Sequence, residues 1–345
     1  MEKIDENIIK LMQNESLQIE SVDVIGDGAG EFIPRTKKNI GYIVGGIVFN
    51  EKNEILMTQE SKRSCYEKWY LPMGRMEPGE TLQEGAIREV EEETGIISEP
   101  VTLLVIESGG SCWFRFLFIM KQTGGALKTK EDKESIKAEW FPPDKILNKQ
   151  VAIRSTDIFP VIKRGVDFMK DEVINQPNIL PVIVPHIQMI YRFLLISKTQ
   201  DGDYGVLVNI NKDVHLPCCM VGQADMSIMV SLFKLFKEVF GRVKEIPKVC
   251  GIINIEYCGK PANQHDGMCI TCLISLKTLP KLEGSQRQFY DWHVITHTQL
   301  IEKLHLMLQC KAILPFTDVH AKGTFYDLVH YIIQEVNNNI TQFCK

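Results

Sequence analysis

Two periods alternate along this chain, and their order predicts its elements. Apolar residues crowd GYIVGGIVFN (41–50) and EILMTQES (54–61), two β-rich runs on either side of a polar turn at Glu51–Asn53. KWYLPMG (68–74) predicts a third short strand. Residues 81–94 change to helical spacing, with Leu82, Ala86 and Val90 recurring at every fourth position. VTLLVIES (101–108) and CWFRFLFIM (112–120) predict two further strands, a charged loop spans 128–138, and 157–169 predicts a closing helix. Strands and a helix alternating around one sheet give an α/β (α+β) class.

The same order then recurs. Prolines and polar breakers at 171–185 predict a linker, after which IYRFLLISKTQDGDYGVLVN is again two strands around a turn. VHLPCCM echoes WYLPMGR, SIMVSLFKLFKEVFG is again a helix ending in glycine, and KVCGIINIEY and DGMCITCLISLKT are again strands. Leu71–Pro72 matches Leu216–Pro217 at an offset of 145, and Gly95 matches Gly241 at 146. An internal repeat follows from this reading. The expected organisation is an N-terminal helix and extension (1–37), a first domain (38–170), the linker (171–185) and a second domain (186–345) with a C-terminal helix near 326–336. The opening MEKIDENIIKLMQNE threads charges through its apolar positions, so it predicts a short amphipathic helix rather than a signal peptide.

Composition narrows the function class. The chain has 345 residues, 44% hydrophobic and 24% charged, which suits a globular protein of two domains. A net charge of −5 without a long basic run argues against a nucleic-acid polymer as partner, since such binding rests on many neutralised phosphates. No apolar run approaches a membrane span. Ten cysteines without an export signal are expected as reduced thiols, placing the protein in the cytoplasm, with the nucleus also open.

The chemistry concentrates in GRMEPGETLQEGAIREVEEETGI (74–96). Glu89, Glu92 and Glu93 stand at i, i+3 and i+4, so three carboxylates share one helix face and repel by roughly a few tenths of a kcal/mol per pair. A hard divalent cation offsets that repulsion, and oxygen ligands with retained waters suit Mg²⁺ or Mn²⁺. Leu82, Ala86 and Val90 form a different stripe, which docks the helix and aims the acids at a cleft. Arg88 stands four residues from both Glu84 and Glu92, placed to orient carboxylates. Glu80 lies in the turn before the helix, where a carboxylate caps free N–H groups. Glu91 is expected at the surface. An acidic run is usually only a solvated face; the fixed pattern around this one lowers that reading.

This stretch resembles the Nudix signature at every fixed position: Gly74, Glu80, Arg88, Glu89, Val90, Glu92, Glu93, Gly95 and Ile96. The resemblance implies a Nudix α/β/α sandwich with a mixed sheet over 38–170 and hydrolysis of a nucleoside diphosphate linked to a further group. It implies Glu89, Glu92 and Glu93 as metal ligands with the Gly74 carbonyl, and Mg²⁺ as cofactor with Mn²⁺ able to substitute. Glu89 or a loop glutamate would activate water, and Glu134 is the loop residue preferred over Glu131 and Glu139. Met73 stands where the family often has a second glycine, which changes the pocket wall. KWYLPMGRMEPGET, WFRFLF, TGGALKT and AEWFP are similar to the eukaryotic branch that dephosphorylates oxidised purine nucleoside diphosphates such as 8-oxo-dGDP. That branch implies a nucleotide-pool sanitising role. An ADP-sugar or dinucleotide polyphosphate pyrophosphatase is the alternative, and a non-catalytic nucleotide sensor stands behind it.

For the base, Trp113, Phe114 and Phe116 offer an aromatic platform, at least as readily read as core, and Arg63 a phosphate contact, although a solvent-facing arginine is the more usual case. Alternation puts Trp113 and Arg115 on one face of their strand and Phe114 and Phe116 on the other, without deciding which face meets the cleft. In the second half, Leu235 stands opposite Glu89 and Val239 opposite Glu93, leaving only Glu238 opposite Glu92, so that half is expected to be a degenerate, catalytically dead Nudix-like domain. Its helix carries an apolar surplus (Leu232, Phe233, Phe236, Val239, Phe240), expected against the first domain or in a homodimer. Cys258, His265, Cys269 and Cys272 make a weak zinc reading, since strand alternation sends Cys269 and Cys272 to opposite faces.

Overall fold

Ile4, Ile8 and Leu11 recur along one side of α1 (Glu2–Met12), and that stripe is completely buried. The computed structural model describes residues 2–19, 21–109, 112–170, 178–223, 226–241, 247–309 and 313–318; the C-terminal helix expected near 326–336 lies outside them. None of the helices among these residues is long and apolar enough to cross a membrane.

After the short β1 (Val24–Ile25), the first half runs β2 (Gly41–Val48), β3 (Ile55–Glu60), β4 (Trp69–Tyr70), β5 (Met73–Arg75), α2 (Leu82–Thr94), β6 (Ile96–Gly109), β7 (Trp113–Gly125), β8 (Ser135–Phe141), α3 (Pro143–Leu147) and α4 (Ile158–Met169). Each strand and helix expected here has a counterpart. However, the third strand expected over 68–74 is broken at Leu71–Pro72 into β4 and β5, β8 begins inside the expected loop at 128–138, and the strands do not surround one sheet. β2 pairs in parallel with β7 along one edge and antiparallel with β5 along the other. β3 joins β4 and β8 in a separate three-stranded sheet and meets the strand of β2 only at the Phe49–Ile55 bridge just beyond its end. The larger sheet is mixed, as expected, because β6 and β7 are antiparallel.

Strand alternation divides the core. Val44, Phe114, Phe116 and Phe118 face one side of the large sheet with Leu82, Ala86 and Val90 of α2, whereas Ile47, Leu117 and Ile119 face the other with Val161 and Ile162 of α4. α2 is set by its ends. Thr81 accepts from the Glu84 backbone and Glu84 returns the bond to the Thr81 backbone, a capping box worth about 1 kcal/mol. Gly95 closes the helix in the left-handed conformation (φ 76°).

The second half comprises β9 (Met189–Lys198), β10 (Tyr204–Asn209), β11 (Cys218–Val221), α5 (Ile228–Phe240), β12 (Lys248–Glu256), β13 (Met268–Leu276), β14 (Tyr290–Val294) and α6 (Thr298–Gln309). Its pairings repeat those of the first half. β9 is parallel to β13 and antiparallel to β11, β12 is antiparallel to β13, and β10 is antiparallel to β14. Unlike its counterpart β3, β10 also pairs with β9.

The halves are laced together. α1 buries its stripe against Leu194, Val206 and Leu273, and Asp5 accepts from the Thr296 and His297 backbones and from His293 Nε2 at 2.7 Å. β1 extends the second sheet beside β11, while β15 (Phe316–Asp318) adds to the first beside β6. Part of the expected linker is bonded to both: Leu103 N–H donates to the Ile179 carbonyl and Val182 N–H to the Ile255 carbonyl. The apolar surplus of α5 is spent inside the chain, with Leu232, Phe236, Val239 and Phe240 buried in the core cluster that holds Val44 and Phe116.

Ile8 is fully buried in a cluster built almost wholly from the second half. Ile8→Ala is therefore expected to lower unfolding free energy by about 2–4 kcal/mol, read by denaturant titration; a change within experimental error would show that α1 is not integral to that core.

Candidate active site

Gly74 on β5 and the acidic face of α2 meet at the foot of a cleft of about 680 Å³. A Cβ on Gly74 would overlap the Glu89 carboxylate, so the glycine permits the helix to approach the strand. Glu89 and Glu93 are 7% and 5% exposed, Glu92 is exposed, and all three line the cleft. Burial raises the Glu89 carboxyl, and Glu92 and Glu134 add to it against the pull of Arg88. Burial, followed by the charge of Glu89, pushes Glu93 well above the usual carboxylate range. Glu93 accepts from the Met73 backbone at 3.2 Å.

Arg88 gathers the site. Its Nε donates to Glu80 Oε1 at 2.5 Å and its Nη2 to Glu80 Oε2 at 2.9 Å, a two-point grip. Its Nη1 donates to Glu89 Oε1 at 2.8 Å and Glu92 Oε2 at 3.1 Å. The bonds to Glu80, then to Glu89, hold the guanidinium more firmly protonated than usual. In this arrangement no three Asp, Glu, His or Cys side chains among the described residues form a ready-made metal cluster. The donor set nonetheless fits a hard cation: two desolvated carboxylates open onto one cleft, and Glu93 has no ion pair among the described residues.

Cations supply much of the remaining lining. Lys37, Lys62, Arg75, Lys133, Arg115 and Arg154 all reach the cleft. Arg115 is ion-paired with Glu107 and donates to Asp157 at 2.6 Å and to the Tyr70 hydroxyl at 3.2 Å. Burial would raise Asp157, but its bonds from Arg115, Ser155 and Tyr70 outweigh that and hold it below the usual range. Arg154 pairs with Glu60 at 2.6 Å and lies over the Tyr70 ring.

The NUDIX domain profile matches residues 40–161. The 8-oxo-dGDP phosphatase NUDT18 of Mus musculus is 32% identical over 321 residues, covering 89% of this chain and 96% of its own length. That of Danio rerio is 32% identical over 330 residues, covering 91% and 97%. The chain belongs to the Nudix hydrolase family. It is a hydrolase acting on diphosphate bonds, and Nudix hydrolases generally use divalent metal ions. A solved NUDIX hydrolase from Nitrosomonas europaea covers 39% of this chain and 90% of its own, at 26% identity and a TM-score of 0.33.

The structure sorts the residues singled out from the Nudix sequence. Gly74, Arg88, Glu89, Glu92, Glu93 and Glu134 are brought together on one cleft, and Met73 forms part of its wall. Phe114 and Phe116 are not: both are fully buried, packed with Tyr42 in the core, so neither is free to stack on a base. Trp113 is half-buried against Gly109, outside the cleft lining. Arg63 is exposed one residue beyond the lining, where Lys62 stands instead. Glu80 does not cap the helix; Thr81 does, and Glu80 grips Arg88. Glu84, expected within reach of Arg88, pairs with Lys260 of the second half. Arg115 was legible in part, because alternation sets it opposite Phe114 and Phe116, and burying those turns it to the cleft. The Arg88–Glu80 pair had no local signal, since residues eight apart are not helical neighbours.

The raised Glu93 has a thermal consequence. Its ionisation costs more in the folded chain than in the unfolded one, so its contribution to stability is present below about pH 4, the ordinary carboxylate value, and is lost as pH rises through the folded value. Glu93→Gln is expected to raise the melting temperature of the metal-free protein at neutral pH, with the gain shrinking on acidification, as followed by scanning calorimetry. An unchanged or lower melting temperature at neutral pH would contradict the burial penalty.

Proposed function

We propose that this protein hydrolyses oxidised purine nucleoside diphosphates, 8-oxo-dGDP and 8-oxo-GDP foremost, to the monophosphate and phosphate, and so keeps oxidised purines out of the nucleotide pool. The observation that carries the reading is the pairing of buried carboxylates with a cationic lining on one cleft. The mouse and zebrafish relatives are 8-oxo-dGDP phosphatases by name and align over nearly their whole length, which supports the substrate class.

Glu89, Glu92, Glu93 and the Gly74 carbonyl would hold Mg²⁺, with Mn²⁺ able to substitute. The bound cation neutralises phosphate oxygens and lowers the pKa of water. Arg88 keeps Glu89 and Glu92 turned to the cleft. Arg75, exposed and without an ion pair among the described residues, and Lys62 bind the diphosphate oxygens as point charges. Glu134 accepts a proton from water as the water oxygen bonds to phosphorus and the bridging P–O bond breaks. Residues 186–345, joined through 171–185, are read as a degenerate Nudix-like domain; the recurring strand pairings and the burial of Leu235 and Val239 where the first half carries Glu89 and Glu93 support this.

The deciding experiment sets oxidised and unoxidised purine diphosphates and triphosphates beside ADP-ribose and a dinucleotide polyphosphate, with Mg²⁺. Preferential turnover of 8-oxo-dGDP is expected, and is expected to vanish in Glu93→Gln. A clear preference for ADP-ribose or the dinucleotide would overturn the substrate, and full activity in Glu93→Gln would overturn the metal site.

Glu134→Gln is expected to lower kcat by roughly 100-fold with Mn²⁺ affinity near wild type. An unaltered kcat would pass the proton-accepting role to Glu89.

A further inference from the structure

The cleft is lined by residues 37–154, yet the motif that forms its floor is held from the second half of the chain. Building on the active-site reading above, we propose that loop 257–266 is a positioning element for the catalytic helix: it fixes Glu80 and Glu84, and through Glu80 the orientation of Arg88 and its two carboxylate partners.

Two contacts join the loop to the turn before α2. Gly259 (φ 72°) lies so close to the Glu80 carbonyl that a Cβ on it would overlap that oxygen. Lys260 Nζ donates to Glu84 Oε1 at 2.6 Å, while the other oxygen of Glu84 accepts from Thr81 in the capping box. Ala262 also lies against Gly79, the position of a Gly79 Cβ being 3.4 Å from its methyl. The loop is itself anchored in the catalytic half. Tyr42 OH donates to the Asp266 carbonyl and Thr36 N–H to Asp266 Oδ2, each at 2.6 Å, and Tyr257 packs edge-on to Tyr42.

The route from loop to metal ligands is short and physical. Glu80 takes both its position and its backbone contact from this turn, and its carboxylate holds Arg88 at two points. Arg88 in turn holds Glu89 and Glu92. The Lys260–Glu84 pair is about half exposed, so its contribution to overall stability is small. Its consequence falls on the geometry of the acidic face, where partners behind metal ligands commonly change affinity more than stability.

Three full-length variants test this by Mn²⁺ binding, read from the paramagnetic resonance of the free ion, alongside kinetics with 8-oxo-dGDP. Lys260→Glu, a surface change facing Glu84, is expected to weaken Mn²⁺ binding by roughly tenfold and lower kcat more than it alters KM, with melting temperature nearly unchanged. Lys260→Arg is expected to retain wild-type Mn²⁺ affinity. Gly259→Val is expected to weaken Mn²⁺ binding further; if it does not fold, Lys260→Glu decides alone. Wild-type Mn²⁺ affinity in Lys260→Glu, or a fall in melting temperature without a change in affinity, overturns the inference. Loss of activity in Glu93→Gln beside wild-type Mn²⁺ affinity in Lys260→Glu would leave the active-site reading standing and remove only this one.

Discussion

Everything at this site depends on one guanidinium. Arg88 is shared among Glu80, Glu89 and Glu92, and without it three carboxylates would face one another across a few ångströms in a partly desolvated cleft. Its two-point grip on Glu80 fixes the plane of the guanidinium, and the remaining nitrogen then sets where Glu89 and Glu92 point. Lysine could supply the charge but not the fork. The arginine bonds one oxygen of Glu89 and one of Glu92 and makes no bond to the second oxygen of either.

The arrangement is expensive, and the expense falls on the fold. Glu93 is buried with a backbone N–H for company, and its raised proton affinity records that cost. Stability elsewhere must cover it. The closed capping box at Thr81, the left-handed glycine at 95 and the fully buried Leu82, Ala86 and Val90 hold α2 in place while its acidic face remains unrelieved. Residues that pack are thus spatially separated from the carboxylates that line the cleft, on one helix thirteen residues long.

The two halves are less separable than a linker suggests. The N-terminal helix completes the core of the second half, β15 returns to the sheet of the first, and residues 179–182 hydrogen-bond to β6 and β12 in passing. Tyr42 and Tyr257 meet edge-on between the halves, 5.3 Å between ring centres. The second half repeats strand pairings of the first, and its helix α5 is apolar where α2 is acidic: Leu232, Leu235, Phe236 and Val239 line the same core cluster as Val44 and Phe116.

Much of this was already present in the order of residues. The helix at 82–94, the shared face of Glu89, Glu92 and Glu93, and the recurrence of the strand order all follow from local periodicity, because a helical neighbour is defined by spacing alone; the capping role expected of Glu80 fell to Thr81. Which face of β7 met the cleft could not be read locally: Phe114 and Phe116 became core, and Arg115 became lining, only when the second half covered one side of the sheet. The partner of Arg88 at Glu80, the partner of Glu84 at Lys260 and the bonding of the supposed linker are likewise contacts between residues whose separation along the chain says nothing of their distance in space. Spacing decides which side chains share a surface; only chain closure decides what that surface meets.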